Sequence, residues 1–358
     1  MMKPVESSQL EKNAAPPSVS VIIPAYNAAK TLRACLESVS AAEYGGTVEV
    51  LVVDDASTDD TPDITTDLGC RLIRRNTNQG PAQARNAGAR AASGDILLFV
   101  DADTEMRRDT IRQAVAALTQ SGMGAVNGMY EPEPINAGFF PAYYAYLKFH
   151  AFTNNDTDRM TAFSGQCGAI YKTLFHHVGG YNTISWGVDI ENEEFGLRVN
   201  EQSVVGIARE FRVRHNFPAF RQLAYIFSNR VYWWVLFSRF SRRHEAVLMT
   251  RGFGYATASP TAALLFELLG LIMPVAGVAT IAHSLALTFL GLFACGYAGF
   301  WKLCFRRRGL RFALGSVLLS FFFSFLITGS AARAYAEAAW RSLTRRSISF
   351  SQETAVQV

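Results

Sequence analysis

Charge is scarce in this chain. Only 18% of its 358 residues are Asp, Glu, Lys or Arg, against 49% hydrophobic residues. That balance excludes an intrinsically disordered or fibrous protein, which needs low hydrophobicity or a short repeat. Five cysteines (Cys35, Cys70, Cys167, Cys295 and Cys304) form no close pair and no metal-ligand spacing. This argues against a disulfide framework or a zinc site and leaves each as a small core residue. Residues 1–17 lack an apolar stretch, so they do not read as a secretory signal. The expectation is a disordered lead-in, with the folded part starting in the cytosol. No glycine-rich phosphate loop is present, so a P-loop or NAD-type site is unsupported.

What is abundant is apolar length near the C-terminus. Residues 261–301 hold one formal charge, Glu267, and one histidine, His283. About 20 residues cross a bilayer core, so this run suffices for two crossings. Ala282-His283-Ser284 is its most polar point and predicts a tight helical hairpin there. Phe312 to Ala332 is a third uncharged run. Between them, Arg306-Arg307-Arg308-Gly309-Leu310-Arg311 predicts a cytoplasmic loop. A third crossing would place Arg333, Arg341, Arg345 and Arg346 outside, against the same rule. Residues 209–251 form a different zone, with nine Arg, two Glu and no Asp or Lys, a net +7. Aromatic residues such as Phe227, Tyr232, Trp233, Trp234 and Phe237 interleave with the arginines. Directly before apolar spans, that composition reads as helices lying at the lipid headgroups rather than as a nucleic-acid surface.

The N-terminal half alternates between two periods. Short β-rich runs occur at 19–24, 48–53, 71–74 and 95–100, and helical patterns at 28–41, 58–68 and 80–92. Alternation of this kind predicts an α/β fold with a mainly parallel sheet between helices. Ligands bind such sheets beyond the carboxyl ends of the strands. Three of those ends carry Pro24-Ala25-Tyr26-Asn27, Asp54-Asp55 and Asp101-Ala102-Asp103. Two acids one residue apart after a buried strand suit a hard cation together with phosphate oxygens, although the same spacing occurs in surface turns. Asp55 is a candidate hydrogen-bond acceptor for a base or ribose, or else a helix cap. Tyr26 is a candidate stacking ring, or else a packed one. Arg85, on the helix after Asn78-Gln79-Gly80, is a candidate phosphate contact.

These motifs together resemble family-two glycosyltransferases, which have the GT-A fold. Val19 to Asn27 resembles the family's opening strand, which places Pro24 and Tyr26 at the nucleotide. Val52 to Thr61 resembles its nucleotide-binding segment. Asn78-Gln79-Gly80 with Ala84-Arg85-Asn86-Ala87-Gly88 resembles the next motif, and Val100-Asp101-Ala102-Asp103 the metal motif. The resemblance covers about residues 18–217. It implies a nucleotide diphospho-sugar donor, a divalent cation (Mg²⁺ or Mn²⁺) on Asp101 and Asp103, and inversion at the anomeric carbon. Ala28 departs from the acid that many relatives carry. Ser164 to Ala169 resembles the small-residue strand beside the donor sugar, and Gly179-Gly180-Tyr181 the turn after it. Glu191-Asn192-Glu193-Glu194-Phe195-Gly196-Leu197-Arg198 resembles the family's acidic helix, whose second residue, an Asp, deprotonates the acceptor. Here that position is Asn192, and a neutral amide is no general base. Glu191 is the nearest substitute, then Glu193. Glu194 shares the face of Glu191 and is placed to raise its pKa. The resemblance also implies that His215 completes the metal shell.

The expected layout is a lead-in to 17, a GT-A domain over 18–217, interfacial helices over 218–258, two to three transmembrane helices over 259–335 and a tail from 336. The expected function is a membrane-associated, metal-dependent glycosyltransferase, multi-pass in the inner membrane with its catalytic domain in the cytoplasm. Its acceptor is expected to be a lipid, a lipid-linked sugar or a cell-surface glycan, with no nucleic-acid partner. The alternative, raised by Asn192, is a catalytically weak nucleotide-sugar binder in a membrane synthase complex. Only fragments of the Gln-x-x-Arg-Trp motif of processive synthases occur, at Gln222 and Arg230 to Trp233, so single-sugar transfer is favoured.

Overall fold

In the computed structural model, which describes residues 15–154, 157–183, 190–240, 251–272 and 276–344, the first half alternates strands and helices. Strand β1 (Val19–Ala25) is buried throughout, and β2 (Val48–Asp54) is buried over its last four residues. The aliphatic residues Val21, Ile22 and Ile23 of β1 and Leu51, Val52 and Val53 of β2 are consecutive, which suits a sheet covered on both faces. With β3 (Arg71–Arg74) and β4 (Ile96–Val100) they form a parallel group in the order β3-β2-β1-β4. Helices α1 (Leu32–Ser40), α2 (Thr61–Asp67) and α3 (Pro81–Ala91) connect them. α1 buries Leu32, Cys35, Leu36 and Val39, one face of a 3.6-residue period. It starts at Leu32 rather than 28, after a turn pinned to the neighbouring loop: Ala28 N–H donates to Thr61 Oγ1 at 2.8 Å and Ala29 N–H to Asp59 Oδ2 at 3.0 Å. A Cβ at Gly88 would stand 2.4 Å from the Ile22 side chain, so glycine lets α3 lie against β1.

Past β4 the sheet becomes mixed. β8 (Cys167–Tyr171) pairs antiparallel with β4, and β6 (Ala125–Tyr130) antiparallel with β8. β9 (Val205–His215) runs beside β6, while β5 (Thr104–Met106) and β7 (Arg159–Met160) pair with its two ends. Helices α4 (Thr110–Ser121), α5 (Phe139–Thr153), α6 (Lys172–His177) and α7 (Glu191–Gln202) complete this part. Apolar layers pack on both sheet faces, one holding Val21, Ile23 and Leu98, the other Ile22, Val53, Phe99 and Phe195. The architecture is the expected α/β sheet between helices.

The remainder is helical: α8 (Phe220–Tyr225), a π-helical turn (Ile226–Arg230), α9 (Val231–Phe240), α10 (Arg251–Ile272) and α11 (Ala276–Thr344). The hairpin expected at Ala282-His283-Ser284 is not there, because these residues are helical. His283 Nδ1 lies 2.7 Å from Glu267 Oε2, so the two most polar residues of the apolar run satisfy each other across α10 and α11. The loop expected at 306–311 is also helical except at Gly309, whose φ of 79° and ψ of −178° suit glycine. Trp301 Nε1 donates to Ser320 Oγ at 3.3 Å, and nineteen residues of straight helix would put about 28 Å between them. α11 therefore folds back at Gly309 into two arms.

The α/β unit packs directly on those arms. Tyr143 Oη lies 3.2 Å from Ser320 Oγ, the Phe139 and Phe312 rings are 5.0 Å apart, and Arg308 pairs with Glu133. α9 packs on the far arm, where Leu236, Ala334 and Ala338 are buried together. Among the described residues, one helical segment, Gly277–Thr344, is long and apolar enough to cross a membrane by length and composition. Many large apolar side chains here face outward, among them Leu271, Ile272, Leu287 and Leu318. The expected tail begins late, since helix continues to Thr344. Most of the expected lead-in (residues 1–14), residues 241–250 of the basic zone, and 345–358 with Arg345 and Arg346 lie outside the described residues.

Candidate active site

Ala25 pairs with Asp54, so β1 and β2 end at one edge of the sheet. The loops that follow are locked together. Asn27 N–H donates to Ser57 Oγ at 2.9 Å, and Thr58 N–H donates to Asn27 Oδ1 at 2.9 Å. Those bonds hold Asn27 (φ 48°) and Ala56 (φ 66°) in the left-handed region, which asparagine adopts readily but which costs alanine about 1–2 kcal/mol. Strain kept at a strand end marks a loop whose shape matters. Tyr26 stands out of this loop, 47% exposed, while Pro24 is buried inside β1. Asp55 is almost fully buried. Its carboxylate takes Arg75 Nη1 at 2.7 Å and the N–H groups of Gln79 (3.1 Å) and Gly80 (2.7 Å). It braces the 78–80 turn, and Arg75 is a partner that sequence reasoning missed.

The acidic pair follows β4. Thr104 pairs with His215, which brings the preceding Asp103 to the end of β9. His215 Nε2 lies 3.2 Å from Asp103 Oδ1, and one ligand atom from each of Asp101, Asp103 and His215 falls within 4.8 Å of the others. Neither ring nitrogen of the buried His215 has a hydrogen-bond partner among the described residues. A buried imidazole left this way beside two carboxylates fits a cation ligand set. Burial pushes the Asp103 carboxyl above its ordinary value, His215 opposes the rise and Asp101 adds to it. Cations suited to such oxygen and imidazole donors include Mg²⁺ and Mn²⁺. The structure therefore brings together the three residues expected as metal ligands.

Arg85 is buried behind this cluster, hydrogen-bonded to Asp101 and to the Gly165 carbonyl. It was expected on the phosphate, but its guanidinium is held inside. The acidic helix start separates into three fates. Glu191 turns toward Arg85, with Oε1 3.6 Å from Nη1. Asn192 braces the neighbouring loop: its Oδ1 accepts the Gly165 N–H and its backbone carbonyl accepts the Phe163 N–H, both at 3.0 Å. Glu193 is buried on the opposite side, and its Oε2 has no hydrogen-bond partner among the described residues. Burial pushes its carboxyl up to about 7, Arg230 opposes this and Glu191 adds to it. Glu194, expected to act on Glu191, is instead taken by Arg198 through two 2.7 Å hydrogen bonds. Arg230 of the π-helical turn was read only as a motif fragment. Its approach to Glu193 joins residues far apart in sequence and leaves no local signal.

Residues 20–179 match the family described as Glycosyl transferase family 2. Over 109 residues the chain is 41% identical to the succinoglycan biosynthesis protein ExoO of Rhizobium meliloti (strain 1021), which is 30% of this chain and 31% of that protein. Over 144 residues it is 33% identical to the glycosyltransferase AglE of Haloferax volcanii, 38% of this chain and 46% of that one. The chain thus spans less than half the length of these curated relatives. Among solved structures, the mannosyltransferase PcManGT from Pyrobaculum calidifontis, in complex with GDP-Man and Mn²⁺, is similar with a TM-score of 0.55 and 21% identity, covering 92% of this chain and 88% of that one. That likeness is one of fold. The matched motifs and the mixed sheet with its acidic edge agree, and residues 20–179 belong to glycosyl transferase family 2 on a GT-A fold.

Proposed function

We propose that the chain is a membrane-bound inverting glycosyltransferase that moves a sugar from a nucleotide diphospho-sugar to an acceptor at the membrane surface. The observation that carries this reading is the grouping of Asp101, Asp103 and His215 at the strand-end edge of a family-two domain. A divalent cation held by these three supplies positive charge against the departing diphosphate. Tyr26 offers its exposed ring to the base, and the Asp55-braced turn shapes the nucleotide side. The loop at Gly165 lies beside the sugar. Glu191 is the proton acceptor by position, since it borders the Asp101–Arg85 group, and Glu193 is set back in the protein. The acceptor oxygen gives its proton to that carboxylate and attacks the anomeric carbon opposite the leaving group.

A membrane-side acceptor is supported by the outward-facing apolar side chains of α10 and α11 and by the docking of α5 on α11. Each arm of α11 exceeds the roughly 20 residues of a crossing, which supports a multi-pass reading with the α/β unit at the cytoplasmic end, beside Arg306, Arg307 and Arg308. The test uses the full chain in lipid nanodiscs with a panel of UDP- and GDP-sugars. Release of nucleoside diphosphate that is blocked by EDTA, with a mass increment on a lipid extract, is the expected result. Nucleotide-sugar binding with no turnover on any extract would instead favour the weak-binder reading that Asn192 motivates.

A further inference from the structure

Arg85 sits in α3 with 3% exposure. A guanidinium so deep must be paired, because an unpaired buried charge is strongly destabilising. Its nitrogens reach three segments that are distant in sequence. Nη2 lies 3.0 Å from Asp101 Oδ1, after β4. Nε donates to the Gly165 carbonyl at 3.0 Å, before β8. Nη1 stands 3.6 Å from Glu191 Oε1, at the start of α7. The packing has no slack, since a Cβ on Gly165 would come 2.6 Å from Arg85 Cζ. The Tyr181 ring closes another side, with its centroid 5.6 Å from Cζ.

We propose that Arg85 is a positioning residue that fixes Asp101 for the divalent cation and holds Glu191 beside it, and that it is not a phosphate ligand. This rests on the reading of Asp101 as a cation ligand. Two features support it. The hydrogen bond to Oδ1 restricts rotation of the Asp101 carboxylate, as outer partners of metal ligands do. The positive charge also stands between two carboxylates that would otherwise repel each other across a buried space. Lysine is no equivalent here, because a single ammonium on a flexible stem lacks the planar fork that spans the three segments.

The experiment titrates Mn²⁺ into the full chain in nanodiscs without nucleotide, and separately titrates UDP and GDP in EDTA. Arg85→Lys and Arg85→Met are expected to weaken Mn²⁺ binding about 10–100-fold. Metal-free binding of UDP or GDP is expected to stay within about twofold of the wild type, under half a kcal/mol. Unchanged Mn²⁺ affinity in Arg85→Lys overturns the proposal. So does a loss of about tenfold or more in metal-free nucleotide affinity, which is the mark of a direct phosphate contact. Should Arg85→Met fail to fold, Arg85→Lys, which keeps the charge, decides. Combining Arg85→Lys with Asp101→Asn is expected to weaken Mn²⁺ binding no further than Asp101→Asn alone, and additive losses refute the linkage. If the wild type binds neither nucleotide, the donor reading fails while the Mn²⁺ titration still decides the role of Arg85.

Discussion

Glu193→Gln is expected to raise stability at neutral and alkaline pH. The Glu193 carboxyl is buried in the folded chain and its pKa is pushed from 4.5 to about 7. A raised carboxyl pKa means that the folded state prefers the neutral acid. Its contribution to stability is therefore complete below the unfolded value and is lost as pH rises through the folded one. At about 1.4 kcal/mol per pKa unit, the full loss is about 3 kcal/mol. About 2 kcal/mol of it falls between pH 5 and pH 7, and the curve flattens above about pH 8. Glutamine copies the shape of the neutral acid and removes the titration. Thermal unfolding of the full chain and of Glu193→Gln, followed by tryptophan fluorescence across that range, isolates this group as the difference between the curves. The wild type should fall behind the variant by about 4–8 °C between pH 5 and pH 7. A flat difference refutes the burial argument and means that Arg230 cancels desolvation, and a wild type that gains with pH means that Arg230 outweighs it.

Asp103→Ala is expected to lose about 10²–10³ in turnover, because the leaving diphosphate loses a charge held in place, and excess Mn²⁺ should not restore it. In Glu191→Gln, transfer should fall about 10²–10⁴ while calorimetric donor binding persists; full transfer would move the proton acceptor elsewhere. Asn192→Asp, tested on the same acceptor, should change transfer little if Asn192 serves as the brace to Gly165, whereas a sharp rise would mark the natural chain as a weakened transferase. At Gly309, alanine must adopt a φ of 79° or straighten the turn. Gly309→Ala should therefore cost about 1–3 kcal/mol, seen as earlier thermal unfolding and faster proteolysis between the arms, and an unchanged melting curve would show that the turn tolerates a side chain.

The sequence by itself determined the local part of this protein. The strands at 19, 48 and 96 are legible because a buried parallel strand is rich in aliphatic residues, the short edge strand at 71 from its Leu72-Ile73 pair, and the helices between them because an amphipathic face repeats every 3.6 residues. Asp101 and Asp103 are readable for the same reason: they lie one residue apart at the end of a run that can only be a strand. Tertiary structure decided what depends on distant partners. Arg85 reads from its helix as a phosphate contact, and only the approach of Asp101, Gly165 and Glu191 takes its guanidinium inside. Glu191 and Glu193 are likewise one residue apart in one motif, yet one lies beside Arg85 and the other is buried near Arg230, since a helix turns them to different neighbours. Hydropathy placed the turn of the apolar run at its most polar point, His283, because a local average cannot see Glu267 completing that histidine across the bundle. The run is instead divided between α10, which ends at Ile272, and α11, which starts at Ala276. Beyond it, the reversal at Gly309 falls within the arginine-rich segment expected as a loop, where the backbone needs a positive φ that glycine adopts at little cost.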